Sequence, residues 1–148
     1  MRLTKKEIDN YNRDGFAIKR NLFSINEIEK ISNDIDDLAN KTPIFGKEMY
    51  YYEDNLYTSE KNKILNRIEK FCDYNENFYD IAYSKRIINI LNKLFKDPPI
   101  LFKDKINFKN PGGSGFKAHQ DIQSGWLDYA STFISVLITI DVSIEENG

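Results

Sequence analysis

Up to residue 97 the apolar residues recur at helical spacing; beyond Pro98 and Pro99 the period becomes two. Thr4-Lys-Lys-Glu7 and Ser24-Ile-Asn-Glu27 are both capping-box patterns. The first predicts a short helix to about Arg13, ended by Gly15, with Phe16-Ala-Ile-Lys19 following as a short strand. The second predicts a longer helix whose apolar face carries Ile25, Ile28, Ile31, Ile35 and Leu38. Residues 41–58 contain Pro43, Gly46 and Tyr50-Tyr51-Tyr52 and read as loop or irregular strand, with the tyrosines as a half-buried cover over the core. Helical spacing resumes over 60–72 (Ile64, Leu65, Ile68, Phe71, Cys72) and over 84–95 (Ile87, Ile88, Leu91, Leu94, Phe95).

From Ile100 to Lys109 the alternation predicts a strand. Ile100, Phe102, Asp104, Ile106 and Phe108 share one face; Leu101, Lys103, Lys105, Asn107 and Lys109 share the other. The Lys/Asn face borders solvent or a polar pocket, and solvent is the default. Pro111-Gly-Gly-Ser-Gly115 predicts a turn or mobile loop. Phe133-Ile-Ser-Val-Leu-Ile-Thr-Ile140 is the most strand-like run in the chain, suited to an inner strand of a sheet or barrel.

Composition narrows the function classes. The chain has 148 residues, 41% of them hydrophobic, which is a one-domain length with enough apolar material for a core. A formal net charge of −2 gives no electrostatic case for nucleic acid or an anionic membrane surface. No apolar run approaches the roughly 20 residues of a membrane span. Met1-Arg-Leu-Thr-Lys-Lys-Glu7 has no apolar segment after its charges, so no secretory signal is expected and a cytoplasmic location is. Cys72 is the only cysteine, which excludes an internal disulfide or a thiolate cluster.

His119 is the only histidine. In His119-Gln-Asp121 an imidazole and a carboxylate stand two residues apart, on one face if the segment is extended. Such a pair can hold one divalent ion and supplies two-thirds of a two-His-one-carboxylate site. Spacing alone favours a plainer reading, a histidine in a polar surface turn with Asp121 capping nearby backbone. The Gly-rich loop lacks the Gly-Lys-Ser/Thr ending of a phosphate-binding loop, and no Gly-x-Ser-x-Gly elbow exists.

The segment Leu101-Phe-Lys-Asp-Lys-Ile-Asn-Phe-Lys-Asn-Pro-Gly-Gly-Ser-Gly-Phe-Lys-Ala-His-Gln-Asp121 resembles the phytanoyl-CoA dioxygenase family of Fe(II)- and 2-oxoglutarate-dependent oxygenases. Its members carry a Lys/Arg-Ile-Asn-Phe/Tyr-Lys strand, a Pro-Gly-Gly-rich loop and then His-Gln-Asp. Gln123-Ser-Gly-Trp126, residues 134–148 and the opening Asp14-Gly-Phe-Ala-Ile-Lys-Arg-Asn-Leu-Phe-Ser24 are similar as well. The resemblance implies an α+β fold, with N-terminal helices over 1–97 and the first strands of a double-stranded β-helix (a cupin-like jelly roll) over 98–148, in a single, incomplete domain. It implies that His119 and Asp121 are catalytic Fe(II) ligands. It also implies that Asn107 and Lys103 contact 2-oxoglutarate and that Trp126 walls the cosubstrate pocket. The expected reaction is hydroxylation of a small organic substrate with O2, giving succinate and CO2. Related halogenases replace the carboxylate by a small residue; Asp121 is intact, which implies hydroxylation. No protein partner is expected.

The family pattern continues into a Pro-Gly-Ser-His motif, a distal His and an Arg that pairs with the 2-oxoglutarate carboxylate. This sequence has none of them, and its last arginine is Arg86. The expectation is therefore the N-terminal part of a longer hydroxylase. The alternatives are a catalytically inactive fragment or interaction module, and a cupin-like binding protein or isomerase without redox chemistry.

Overall fold

Both capping boxes form. In the computed structural model, which describes residues 2–58, 63–95 and 97–147, the Thr4 and Ser24 side chains accept the N–H of Glu7 and Glu27, and each glutamate reaches back to its cap residue. Helix α1 runs Lys5–Asp14 and α2 runs Ile25–Ala39. Between them Phe16 and Ile18 are exposed and Phe16-Ala-Ile-Lys19 forms no strand. A run of four apolar-leaning residues with no neighbouring ladder to satisfy its backbone stays irregular.

Strand β1 follows at Met49–Asp54 and β2 at Lys63–Glu69. The helix expected over 60–72 is corrected here. Residues 60–62 lie outside the described residues, 63–69 are strand, and Cys72–Tyr74 is a single 3₁₀ turn. Ile64, Leu65, Ile68 and Phe71 satisfy helical steps. The pairing of β2 with β3 (Lys105–Asn107) overrides them: Ile68 lies opposite Ile106, Arg67 opposite Asn107 and Glu69 opposite Lys105, antiparallel. The sheet order is β1-β2-β3. Two helices lie between β2 and β3. Helix α3, Glu76–Ala82, went unpredicted; the Asn75 side chain caps it by accepting the N–H of Asn77 and Phe78. Helix α4, Lys85–Leu94, is the one expected over 84–95.

The expected ten-residue strand after Ile100 shortens to β3, and Ile100 is 85% exposed. Asp104, odd on an apolar face, is explained by its partners. Its carboxylate accepts the Lys70 N–H and, at 2.8 Å, the Cys72 N–H, closing the turn after β2 where Lys70 has a φ of 60°. Residues 133–140 form no strand either; Val136 and Leu137 are exposed. Among the described residues nothing pairs with them as a ladder, and β propensity without a partner strand does not make a sheet.

The chain divides into two units: residues 1–51 with 67–107, and residues 52–66 with 108–148. The first holds the apolar core: Leu3, Ile31, Leu38, Ile68, Phe71, Cys72, Phe78 and Ile87. Phe71 and Phe78 meet edge to face at 4.9 Å. Of the three tyrosines expected to cover the core, only Tyr50 is half-buried, its hydroxyl donating to the Leu38 carbonyl at 2.8 Å; Tyr51 and Tyr52 are exposed. Burial, chiefly, and the Asp104 carboxylate push the Cys72 thiol far up, so it is an inert core side chain. No helix among the described residues is long and apolar enough to cross a membrane.

Arg86 of α4 ties into the same unit. Its guanidinium donates to the Leu22 carbonyl at 2.8 Å and pairs with Glu27, over the Phe23 ring. That pair and the Ser24 cap hold the Glu27 carboxyl down at about 2, from an ordinary 4.5. A depressed folded-state value stabilises the fold above the ordinary value and loses that stabilisation as pH falls. The Glu27 contribution should therefore fade between pH 4.5 and 2. Glu27→Gln should flatten that part of a denaturant-midpoint curve measured across the window. Parallel curves for variant and wild type would contradict the assignment.

Candidate metal-binding site

The second unit is organised by polar contacts around the Pro-Gly-Gly-Ser loop. Asn110 donates to the Leu65 carbonyl at 2.9 Å, the Leu56 N–H donates to the Gly112 carbonyl at 2.8 Å, and the Phe108 N–H donates to the Asn66 carbonyl at 2.8 Å. The loop is a tight turn, as one of its two readings had it. Gly112 has a φ of 84°, and a Cβ there would strike the Asn55 side chain; one at Gly113 would come within 2.8 Å of Glu53 Oε1. Two of its amides are already used: Gly113 N–H donates to the Asn110 carbonyl and Ser114 N–H to Glu53. They do not form an open phosphate cradle.

The loop leads to His119-Gln-Asp121. Gln120 is extended, with φ −107° and ψ 126°, so the side chains on either side of it turn to one face. The imidazole Nε2 lies 3.4 Å from Asp121 Oδ1. The other ring nitrogen, Nδ1, sits 2.7 Å from the Lys117 carbonyl oxygen. A carbonyl can only accept, so Nδ1 carries the proton and donates. In the neutral ring Nε2 then presents a lone pair toward a carboxylate oxygen. Two acceptors facing each other at this distance repel unless a proton or a cation stands between them. Ligands at about 2.1 Å from one ion and at right angles are about 3.0 Å apart, so the pair needs only a small adjustment to chelate. This donor set, one imidazole nitrogen and one carboxylate oxygen, fits a borderline divalent ion such as Fe(II). Among the described residues no third His, Cys, Asp or Glu joins them.

Ser135 is the partner that sequence reading missed. Its hydroxyl donates to Asp121 Oδ2 at 3.0 Å, leaving Oδ1 toward the histidine. Hydrogen bonds of this kind orient ligating carboxylates. The only signal for it was that Ser135 is one of two polar residues, with Thr139, in the apolar run 133–140. Asp121 opens a 3₁₀ turn, Asp121–Ser124, and Gly125 leads into a second, Trp126–Asp128. The Trp126 ring is half-buried, 5.2 Å from Phe133.

The remaining expected residues stand in the first unit. Asn107 ends β3 opposite Arg67 and is exposed. Lys103 is exposed too, but its Nζ lies 3.1 Å from Oε1 of Glu69, which is 3% exposed and also 3.0 Å from Arg67 Nε. Lys103 thus has a structural task, because a buried carboxylate without its cations is costly. An apolar cleft lined by Pro43, Ile44, Phe45, Met49 and Lys70 also belongs to the first unit, and none of the expected site residues lines it.

Comparison with known proteins places the chain. Residues 11–148 match the family model described as phytanoyl-CoA dioxygenase. The chain is 37% identical over 103 residues to the 2-aminoethylphosphonate dioxygenase of uncultured bacterium HF130_AEPn_1, covering 70% of this chain and 38% of that one. It is 25% identical to the methylphosphonate hydroxylase of Gimesia maris, over 99% of this chain and 54% of the relative. It is 27% identical to the probable alpha-ketoglutarate-dependent hypophosphite dioxygenase of Stutzerimonas stutzeri, over 90% of this chain and 46% of the relative. The chain thus spans about half the length of these relatives or less. No solved structure matches it. The His-Gln-Asp segment lies inside the matched region, and with near-complete coverage by the family model the conclusion follows: this chain belongs to the phytanoyl-CoA dioxygenase family.

Proposed function

We propose that this chain carries the first two metal ligands of a non-haem Fe(II)- and 2-oxoglutarate-dependent dioxygenase that hydroxylates a small phosphorus oxyacid, such as a phosphonate. The observation that carries the reading is the His119–Asp121 pair, with Nε2 and Oδ1 facing each other at 3.4 Å and Nδ1 committed to Lys117. Fe(II) held there would supply the redox chemistry by which O2 converts 2-oxoglutarate to succinate and CO2 and hydroxylates the substrate.

The chain's own residues do the rest. Lys117 fixes the ring tautomer so that Nε2 is free to ligate. Ser135 holds Oδ2 so that Oδ1 faces the ion. By the family resemblance Lys103, Asn107 and Trp126 are the candidates for contacting 2-oxoglutarate; Trp126 packs against Phe133. The jelly-roll architecture and the cosubstrate rest on family membership. The phosphorus oxyacid rests on three relatives, named for 2-aminoethylphosphonate, methylphosphonate and hypophosphite chemistry.

The test is succinate formation by the whole enzyme to which this chain contributes, supplied with Fe(II), 2-oxoglutarate and O2. The panel is 2-aminoethylphosphonate, methylphosphonate and hypophosphite, set beside carboxylates of matching size. Succinate release raised by at least one phosphorus oxyacid and by none of the carboxylates is the expected result. Release that only carboxylates raise would overturn the substrate class, and no metal-dependent release at all would overturn the oxygenase reading.

A further inference from the structure

The loop that delivers His119 and Asp121 is fastened to β1 by one carboxylate, and we propose that Glu53 is a positioning residue for the metal-binding pair. The inference rests on the metal reading above. Glu53 Oε2 accepts both the Ser114 N–H, at 3.1 Å, and the Ser114 hydroxyl. Its Oε1 accepts the Asn66 amide of β2 at 2.9 Å, so the carboxylate is itself held in place. One residue thus gathers two strands and the loop, and the contacts lower its pKa, the Ser114 hydroxyl most of all. The neighbouring Leu56–Gly112 backbone bond reinforces the attachment.

The physical need for such a clamp lies in the loop's composition. Gly112, Gly113 and Gly115 carry the largest conformational freedom of any residues in this stretch, and ordering them is costly. Without a fixed point at Ser114, His119 would follow a four-residue stretch, 112–115, in which three residues are glycine. With Ser114 fixed, the imidazole and carboxylate are presented together, and a metal ion meets a partly prepared site. Glycine at 112 and 113 is also what lets the backbone come close enough for Glu53 to reach Ser114. The sequence pattern Pro-Gly-Gly-Ser and the acidic residue on β1 therefore form one device, which reading either segment alone does not reveal.

The experiment combines Co(II) titration with amide hydrogen exchange on wild type, Glu53→Ala, Glu53→Gln, Ser114→Ala and His119→Ala. Glu53→Ala should weaken Co(II) binding about tenfold, within the range typical of residues that support metal ligands. It should also speed exchange across residues 112–119. Glu53→Gln, which keeps a carbonyl acceptor, should fall between Glu53→Ala and wild type. Ser114→Ala removes only a hydroxyl and decides the matter if Glu53→Ala does not fold. Wild-type Co(II) affinity in both Glu53→Ala and Ser114→Ala would overturn the positioning role while leaving the metal reading standing. A wild type that binds Co(II) no better than His119→Ala would overturn the metal reading, and the positioning role with it.

Discussion

In the whole enzyme, His119→Ala should reduce 2-oxoglutarate turnover to the level seen without added metal. No other imidazole exists in the chain to take its place. The loss is expected to be complete because the site draws on a small donor set. Nε2 is one of two groups that meet at the pair, and among the described residues no further His, Cys, Asp or Glu stands near enough to compensate. Asp121→Ala should be equally severe. Ser135→Ala should be graded: the carboxylate remains but loses the hydroxyl that orients it, which should cost roughly tenfold in metal affinity. The check is succinate released against metal concentration for each variant. Near-normal turnover in His119→Ala would remove the metal assignment. A Ser135→Ala variant as damaged as Asp121→Ala would mean that the serine does more than orient its neighbour.

Ile68→Ala should destabilise the fold by about 2–5 kcal/mol, the usual cost of deleting a buried isoleucine side chain. Ile68 is 0% exposed and sits near the C-terminal end of β2, opposite Ile106 of β3. It lies in the same strand as Arg67 and Glu69, whose ion pair occupies the other face. A loss of this size is a large fraction of the stability of any small domain. Chemical denaturation monitored by tyrosine and tryptophan fluorescence measures it directly. A change under about 1 kcal/mol would mean that the site collapses around the smaller side chain, so that β2 is not the rigid centre of the first unit.

The contrast between these two residues explains what could be read from the sequence. The shared face of His119 and Asp121 was legible because it is local: an extended Gln120 turns both side chains to one side, while their metal role was implied only by the family resemblance. The helices with strong caps were legible for the same reason, since Thr4–Glu7, Ser24–Glu27 and the apolar steps of α4 are short-range signals. Ile68 was misread as helical because its spacing fits a helix, and only the distant partner Ile106 makes it a strand. Helix α3 was missed because its cap, Asn75, lies in a polar stretch with little apolar periodicity. The run Phe133–Ile140 carries high β propensity but meets no ladder among the described residues. Propensity names a residue's preference; a sheet needs a second strand. Ser135 and Glu53 were invisible for a related reason. Each acts on a group far along the chain: Asp121 for Ser135, and Ser114 for Glu53. The ion pair of Lys103 with Glu69 was equally unreadable, because the alternation of the strand shows which face a lysine occupies and not what waits there.

A single histidine makes the central claim directly observable, because its imidazole protons are the only ones of their kind in a proton NMR spectrum. The decisive measurement is a titration of the protein with Mn(II), following those resonances in wild type and in Asp121→Ala. If His119 and Asp121 chelate one divalent ion, the imidazole signals should broaden away at low Mn(II) in the wild type and persist to much higher Mn(II) in the variant. Imidazole signals that stay sharp in the wild type, or that broaden identically in both proteins, would contradict the metal-binding pair.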